Sequence, residues 1–135
     1  MSKPVYPALV VEDDAFQAEI FAKAVEAAGF APVETRLDGQ EALAYLQQHT
    51  PMLVVLDLNL PGALGDDILA YIRGEPRLAE TRVILATGNP HMADPLQGES
   101  DLVLLKPVSF SQLRDLALRL RRAIAAQRGE ECDAG

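Results

Sequence analysis

A chain of 135 residues has room for one domain with a single core, and 49% hydrophobic with 24% charged residues is an ordinary globular composition. The formal net charge of -8 excludes general affinity for nucleic acid or an anionic membrane surface and favours cations as ligands. No apolar run approaches the ~18 residues of a membrane span, the apolar stretch in MSKPVYPALVV is too short for a signal peptide, and Cys132, the only cysteine, allows no internal disulfide, so a cytoplasmic protein without membrane insertion is expected.

In chain order, the apolar run Ala8 to Val11 predicts a strand. After Asp14, the residues Phe16, Ile20, Phe21, Ala24, Val25 and Ala28 recur at helical spacing, Glu19 and Lys23 form an i,i+4 pair, and Gly29 stops the helix. A weaker strand signal covers Pro32 to Arg36. Asp38 is then an N-cap, with Glu41 three residues later, for a helix through Leu43 and Leu46 that ends before Pro51. Met52 to Leu58 is the next strand, followed by a helix over about Asp66 to Arg73 that stops near Gly74 and Pro76; Asp66 and Asp67 suit the positive end of that helix better than a metal. Arg82 to Ala86 and Asp101 to Leu105 complete the strands. Between them, Pro90, Pro95 and Gly98 leave room for only a short or irregular fourth helix. Ser109, with Gln112 three positions on, opens a last helix striped by Leu113, Leu116, Ala117, Leu120 and Ile124.

Strands alternating with helices predict an α/β domain with a parallel sheet covered on both faces. The domain is expected to span residues 1–126, with 127–135 a disordered polar tail.

Within Met52 to Leu58 stands Asp57, a carboxyl group in an otherwise apolar run, VVLDLNLPG. Burying an isolated charge costs several kcal/mol or more, so Asp57 must meet a cation, collect hydrogen bonds, or emerge into a cleft. Parallel sheets bind ligands at the carboxyl ends of their strands. Those ends carry Glu12-Asp13-Asp14, Asp57, Thr87-Gly88 and Lys106-Pro107. Several carboxylates, a hydroxyl and an ammonium around one cleft suit a hard cation such as Mg²⁺ together with a phosphoryl group. In that setting Asp57 can act as a nucleophile that forms an acyl phosphate, Lys106 can neutralise phosphoryl oxygens, and Thr87 can hydrogen-bond one. Asp14, nearest the helix, fits an N-cap better than a ligand.

The motifs ALVVEDD (Ala8 to Asp14), VVLDLNLPGALG (Val54 to Gly65), ILATG (Ile84 to Gly88) and LLKP (Leu104 to Pro107) resemble, in order and spacing, the receiver domain of bacterial two-component response regulators. The resemblance implies a flavodoxin-like, doubly wound (βα)5 fold with strand order 2-1-3-4-5. It implies transfer of a phosphoryl group from a histidine kinase or phosphotransfer protein to Asp57, with Glu12, Asp13, Asp57 and the Asn59 backbone carbonyl holding Mg²⁺. Thr87 is then the switch hydroxyl and Lys106 the phosphate-pairing lysine, joined to Pro107 by a cis peptide bond. Two positions depart from the family pattern: Val103 stands where an aromatic residue is usual, and the segment from Thr87 to Lys106 is short.

No output domain is expected after Ile124, so the resemblance is to stand-alone, chemotaxis-type receivers, which implies signalling through a protein partner rather than enzymatic turnover or nucleic-acid binding. On the last helix, the face that carries Leu118 among Arg114, Arg121 and Arg122 reads first as a solvated surface, with Leu118 as an exposed anchor in a basic contact patch the hypothesis beside it. Two other functions compete. A phosphatase of the haloacid dehalogenase type also uses a strand-end aspartate and Mg²⁺, but wants an acid where this chain has Asn59. A degenerate receiver would bind partners without phosphorylation.

Overall fold

The computed structural model describes residues 5–58, 65–88 and 101–129. Five strands, β1 (Ala8–Val11), β2 (Val33–Arg36), β3 (Leu53–Asp57), β4 (Arg82–Thr87) and β5 (Leu102–Leu105), form one parallel sheet in the order β2-β1-β3-β4-β5. The described helices are α1 (Ala15–Ala27), α2 (Gly39–Gln48), α3 (Gly65–Gly74) and α4 (Phe110–Gln127), with a 3₁₀ turn at Pro76–Leu78. The expected α/β class and strand order are therefore observed. The expected short helix between β4 and β5 falls on 89–100, outside the described residues, as do 130–135 of the expected tail; α4 itself ends at Gln127 with Arg128 as its C-cap.

Local chemistry starts three helices where the sequence indicates. Asp14 Oδ1 accepts from the Phe16 and Gln17 N–H groups at 3.0 and 3.1 Å, Asp38 Oδ1 from the Glu41 N–H at 2.8 Å, and Ser109 Oγ from the Gln112 N–H at 3.0 Å. Each satisfies a backbone donor that the first turn leaves open, a contribution of about 1 kcal/mol.

The period of two along each strand divides the core. Ala8, Val10, Leu53, Val55, Ile84 and Leu104 pack on one face with Phe21, Ala24 and Val25 of α1 and Leu113, Ala117 and Ile124 of α4. Leu9, Val11, Val54, Leu56, Val83 and Leu85 pack on the other with Leu46 of α2 and Ile68, Leu69 and Ile72 of α3. β3 lies at the centre and is buried on both faces, which is why it reads as a continuous apolar run.

Two expectations need correction. Phe16, counted in the apolar stripe of α1, is 74% exposed; the buried face is Ala18, Phe21, Ala24 and Val25. Leu118 is no exposed anchor: it is partly buried against the α1-side core, in line with buried Ala125 two turns on, so the packed face of α4 is wider than the leucine stripe. The surrounding arginines are engaged as well. Arg121 Nε donates to the Gly29 carbonyl at 3.3 Å and its guanidinium lies 4.7 Å from the centre of the Tyr6 ring, with that of Arg128 at 5.3 Å. Arg121 thus places a cation at the carboxyl end of α1, whose own last turn has none.

Candidate functional site

Glu12 follows β1, Asp57 ends β3, Thr87 ends β4 and Lys106 follows β5, so the parallel strands bring all four to the carboxyl edge of the sheet, beside the point between β1 and β3 where strand order reverses. Side-chain alternation then sorts them. Glu12 continues the phase of Ala8 and Val10, Asp57 that of Leu53 and Val55, and Lys106 that of Leu102 and Leu104, all on the α1 and α4 side. Thr87 is in phase with Val83 and Leu85, on the other side, and is fully buried.

Lys106 Nζ donates to Glu12 Oε1 and to Asp57 Oδ2, both at 3.1 Å. The Glu12 and Asp57 side chains are each 1% exposed, whereas Lys106 retains 28%. One carboxylate oxygen from each of Glu12, Asp13 and Asp57 lies within 4.8 Å of the other two, with Asp13 on the solvent side. This set of hard oxygen donors, open on one side, can hold a divalent cation. Asn59, the remaining expected ligand, lies outside the described residues. Asp14 is committed to its cap, and Asp66 and Asp67 are exposed in the first turn of α3.

The electrostatics follow from burial. It pushes the Glu12 carboxyl up to about 8, the Asp57 and Asp13 carboxyl groups add to the rise, and the Lys106 ammonium opposes it. Burial pulls the Lys106 ammonium down, yet its hydrogen bonds with Asp57 and Glu12 more than offset this and hold it above its usual value. Burial thus favours the protonated form of Glu12, and a cation on the site would oppose it.

The Lys106 N–H also donates to the Thr87 carbonyl at 2.8 Å, and the Lys106-Pro107 bond is cis. Val103 pairs in register with Leu85 and is partly buried against the α2 and α3 core. A cleft of about 480 Å³ lined by Thr50, Met52, Arg77, Thr81, Ile124 and Arg128 lies toward the amino ends of β3 and β4, the opposite edge, and takes no part in this constellation.

The structure brings Glu12, Asp13, Asp57 and Lys106 together as the motifs indicate. It adds that Lys106 bridges Glu12 and Asp57, which are 94 and 49 residues away in the chain. No local signal announces such a contact.

This is a doubly wound α/β domain with an acidic, lysine-bridged site at its carboxyl edge. The model of the response regulator receiver domain matches residues 8–118, and the chain belongs to that family. The polar-differentiation response regulator DivK of Brucella anthropi is 29% identical over 104 residues, covering 75% of this chain and 84% of that protein. The probable methanogenesis regulatory protein FilR2 of Methanothrix harundinacea is 34% identical over 116 residues, covering 78% and 75%. Among solved structures, the signal receiver domain of a putative Luxo repressor protein from Vibrio parahaemolyticus matches with a TM-score of 0.80 and 28% identity over 96% of this chain and 100% of that one.

Proposed function

We propose that the chain is a phospho-accepting switch in which Asp57 takes a phosphoryl group from a histidine kinase or phosphotransfer protein and a protein effector reads the resulting conformational change. The observation that carries this reading is the bridge from Lys106 to Glu12 and Asp57, which sets a nucleophile and a cation-binding carboxyl group within hydrogen-bonding reach of a phosphate-pairing ammonium at one sheet edge, with an Asp13 carboxylate oxygen within 4.8 Å of theirs. Asp57 attacks phosphorus in line; the new O–P bond forms as the donor's N–P bond breaks. Glu12, Asp13 and Asp57, with the Asn59 carbonyl, would hold Mg²⁺, which when bound supplies charge neutralisation for the phosphoryl oxygens.

Lys106 exchanges its carboxylate contacts for a phosphoryl oxygen, and Thr87 supplies a hydroxyl hydrogen bond from β4. The charge added on Asp57, at the end of β3, and its pull on Thr87 at the end of β4 are the conformational signal. Because residue 103 is valine, the readout involves no ring at that position. The receiver unit is assigned to residues 1–126.

Incubation with acetyl phosphate and MgCl₂ tests the reading. Stoichiometric, Mg²⁺-dependent modification of the wild-type chain that is lost in Asp57→Asn is expected. Continuous turnover would point to a phosphatase, and absence of any Mg²⁺-dependent modification to a phosphorylation-independent binding module; either would sink the proposal.

A further inference from the structure

Gly65 is the first residue of α3 and is buried. Its φ is not in the left-handed region, which among the described glycines only Gly29 and Gly129 occupy, so the backbone alone does not call for glycine. Space does. A β-carbon on Gly65 would lie 2.6 Å from the Leu58 Cα, 2.8 Å from the Asp57 carbonyl oxygen and 3.1 Å from Leu58 Cδ2. Ordinary carbon contacts are about 3.5–4.0 Å.

The peptide that Gly65 abuts is the one leaving Asp57. On its other side the Leu58 N–H donates to the Ala86 carbonyl at 3.1 Å, and Asp57 itself pairs with Ala86 in the β3–β4 ladder. The Asp57–Leu58 peptide is therefore gripped between β4 and the first turn of α3. Fully buried Ile68, Leu69 and Ile72 fasten α3 to the sheet, so the helix cannot retreat without opening the core.

We infer that Gly65 is a positioning residue for the phospho-acceptor: its missing side chain seats α3 against the Asp57–Leu58 peptide and fixes where the Asp57 carboxyl stands relative to Glu12 and Lys106. This rests on Asp57 accepting a phosphoryl group. A β-carbon forces that peptide or the start of α3 to shift, and misplacing a reacting group by ~1 Å costs on the order of a hundredfold in rate. Gly74, at the far end of the same helix, has nothing within 4 Å of its would-be β-carbon and provides a matched control.

The test compares wild type, Gly65→Ala, Gly74→Ala and Asp57→Asn with acetyl phosphate as donor. In this reaction an Asp57 carboxylate oxygen forms the new P–O bond, while the acyl P–O bond breaks and leaves with its electron pair as acetate. The readouts are thermal melting, the maximal rate constant at saturating MgCl₂ measured well below the melting temperature, and the MgCl₂ half-saturation. Gly65→Ala is expected to melt cooperatively yet to be modified about ten- to a hundredfold more slowly at saturating metal. Gly74→Ala is expected to stay within about twofold of wild type. Modification of Gly65→Ala at the wild-type rate would overturn the inference, as would loss of its cooperative melt, which would assign Gly65 to the fold rather than to Asp57. Failure of the wild-type chain to be modified at all would instead bring down the phospho-acceptor reading beneath it.

Discussion

The raised Glu12 carboxyl makes a quantitative prediction about stability and pH. In the unfolded chain this group titrates at its ordinary value of 4.5, and in the fold at about 8, chiefly because it is buried. Between these values the unfolded state binds fewer protons than the native state, so stability is fully present below the lower value and is lost as pH rises through the upper one. The slope is about 1.4 kcal/mol per pH unit. From about pH 5.5 to about pH 8.5 the metal-free protein should lose about 3 kcal/mol from this group, a fall of about 10 °C in Tm for a domain of this size. The perturbation is Glu12→Gln, which keeps the shape and removes the titration. Melting curves in chelator across this range should show the wild-type decline, with Glu12→Gln nearly flat. Saturating MgCl₂ should abolish the wild-type decline, since a cation on the site keeps Glu12 ionised and opposes its proton. Wild-type and Glu12→Gln curves that run parallel in chelator would refute the burial account.

Three further outcomes follow from the contacts. Lys106→Met removes the cation that occupies the Glu12 and Asp57 oxygens, so Mg²⁺ affinity by calorimetric titration should rise by about tenfold, while modification at Asp57 slows; unchanged affinity would mean that the ammonium does not compete for the site. Leu118→Glu drives a charge against the α1-side core and should cost about 1–3 kcal/mol in urea unfolding, whereas an exposed anchor would tolerate it. Ser109→Ala deletes the N-cap of α4 and should cost about 1 kcal/mol without changing Mg²⁺ affinity, and a coincident loss of metal binding would tie the cap to the site.

The sequence by itself determined the helix starts, because Asp14, Asp38 and Ser109 act on backbone groups two or three residues away, and it determined the parallel α/β class, because burial on both faces leaves continuous apolar strands separated by amphipathic helices. It also indicated the site to the level of strand ends, since parallel strands must all end on the same edge. Contacts between distant residues were decided only by tertiary structure. Phe16 and Leu118 exchanged their expected places because a helical stripe depends on what packs beside it: α1 and α4 pack against each other and Leu118 lies against the core they share, and neither is visible in either helix's own spacing. The Lys106 bridge, the burial that raises the Glu12 carboxyl, and the seat of Gly65 against Asp57 likewise arise where separate elements meet. Asp57 in VVLDLNLPG could be read from the chain as a carboxyl group in need of partners; which atoms meet it, and how tightly they hold it, is set by the close approach of β1, β4, β5 and α3 around a strand buried on both sides.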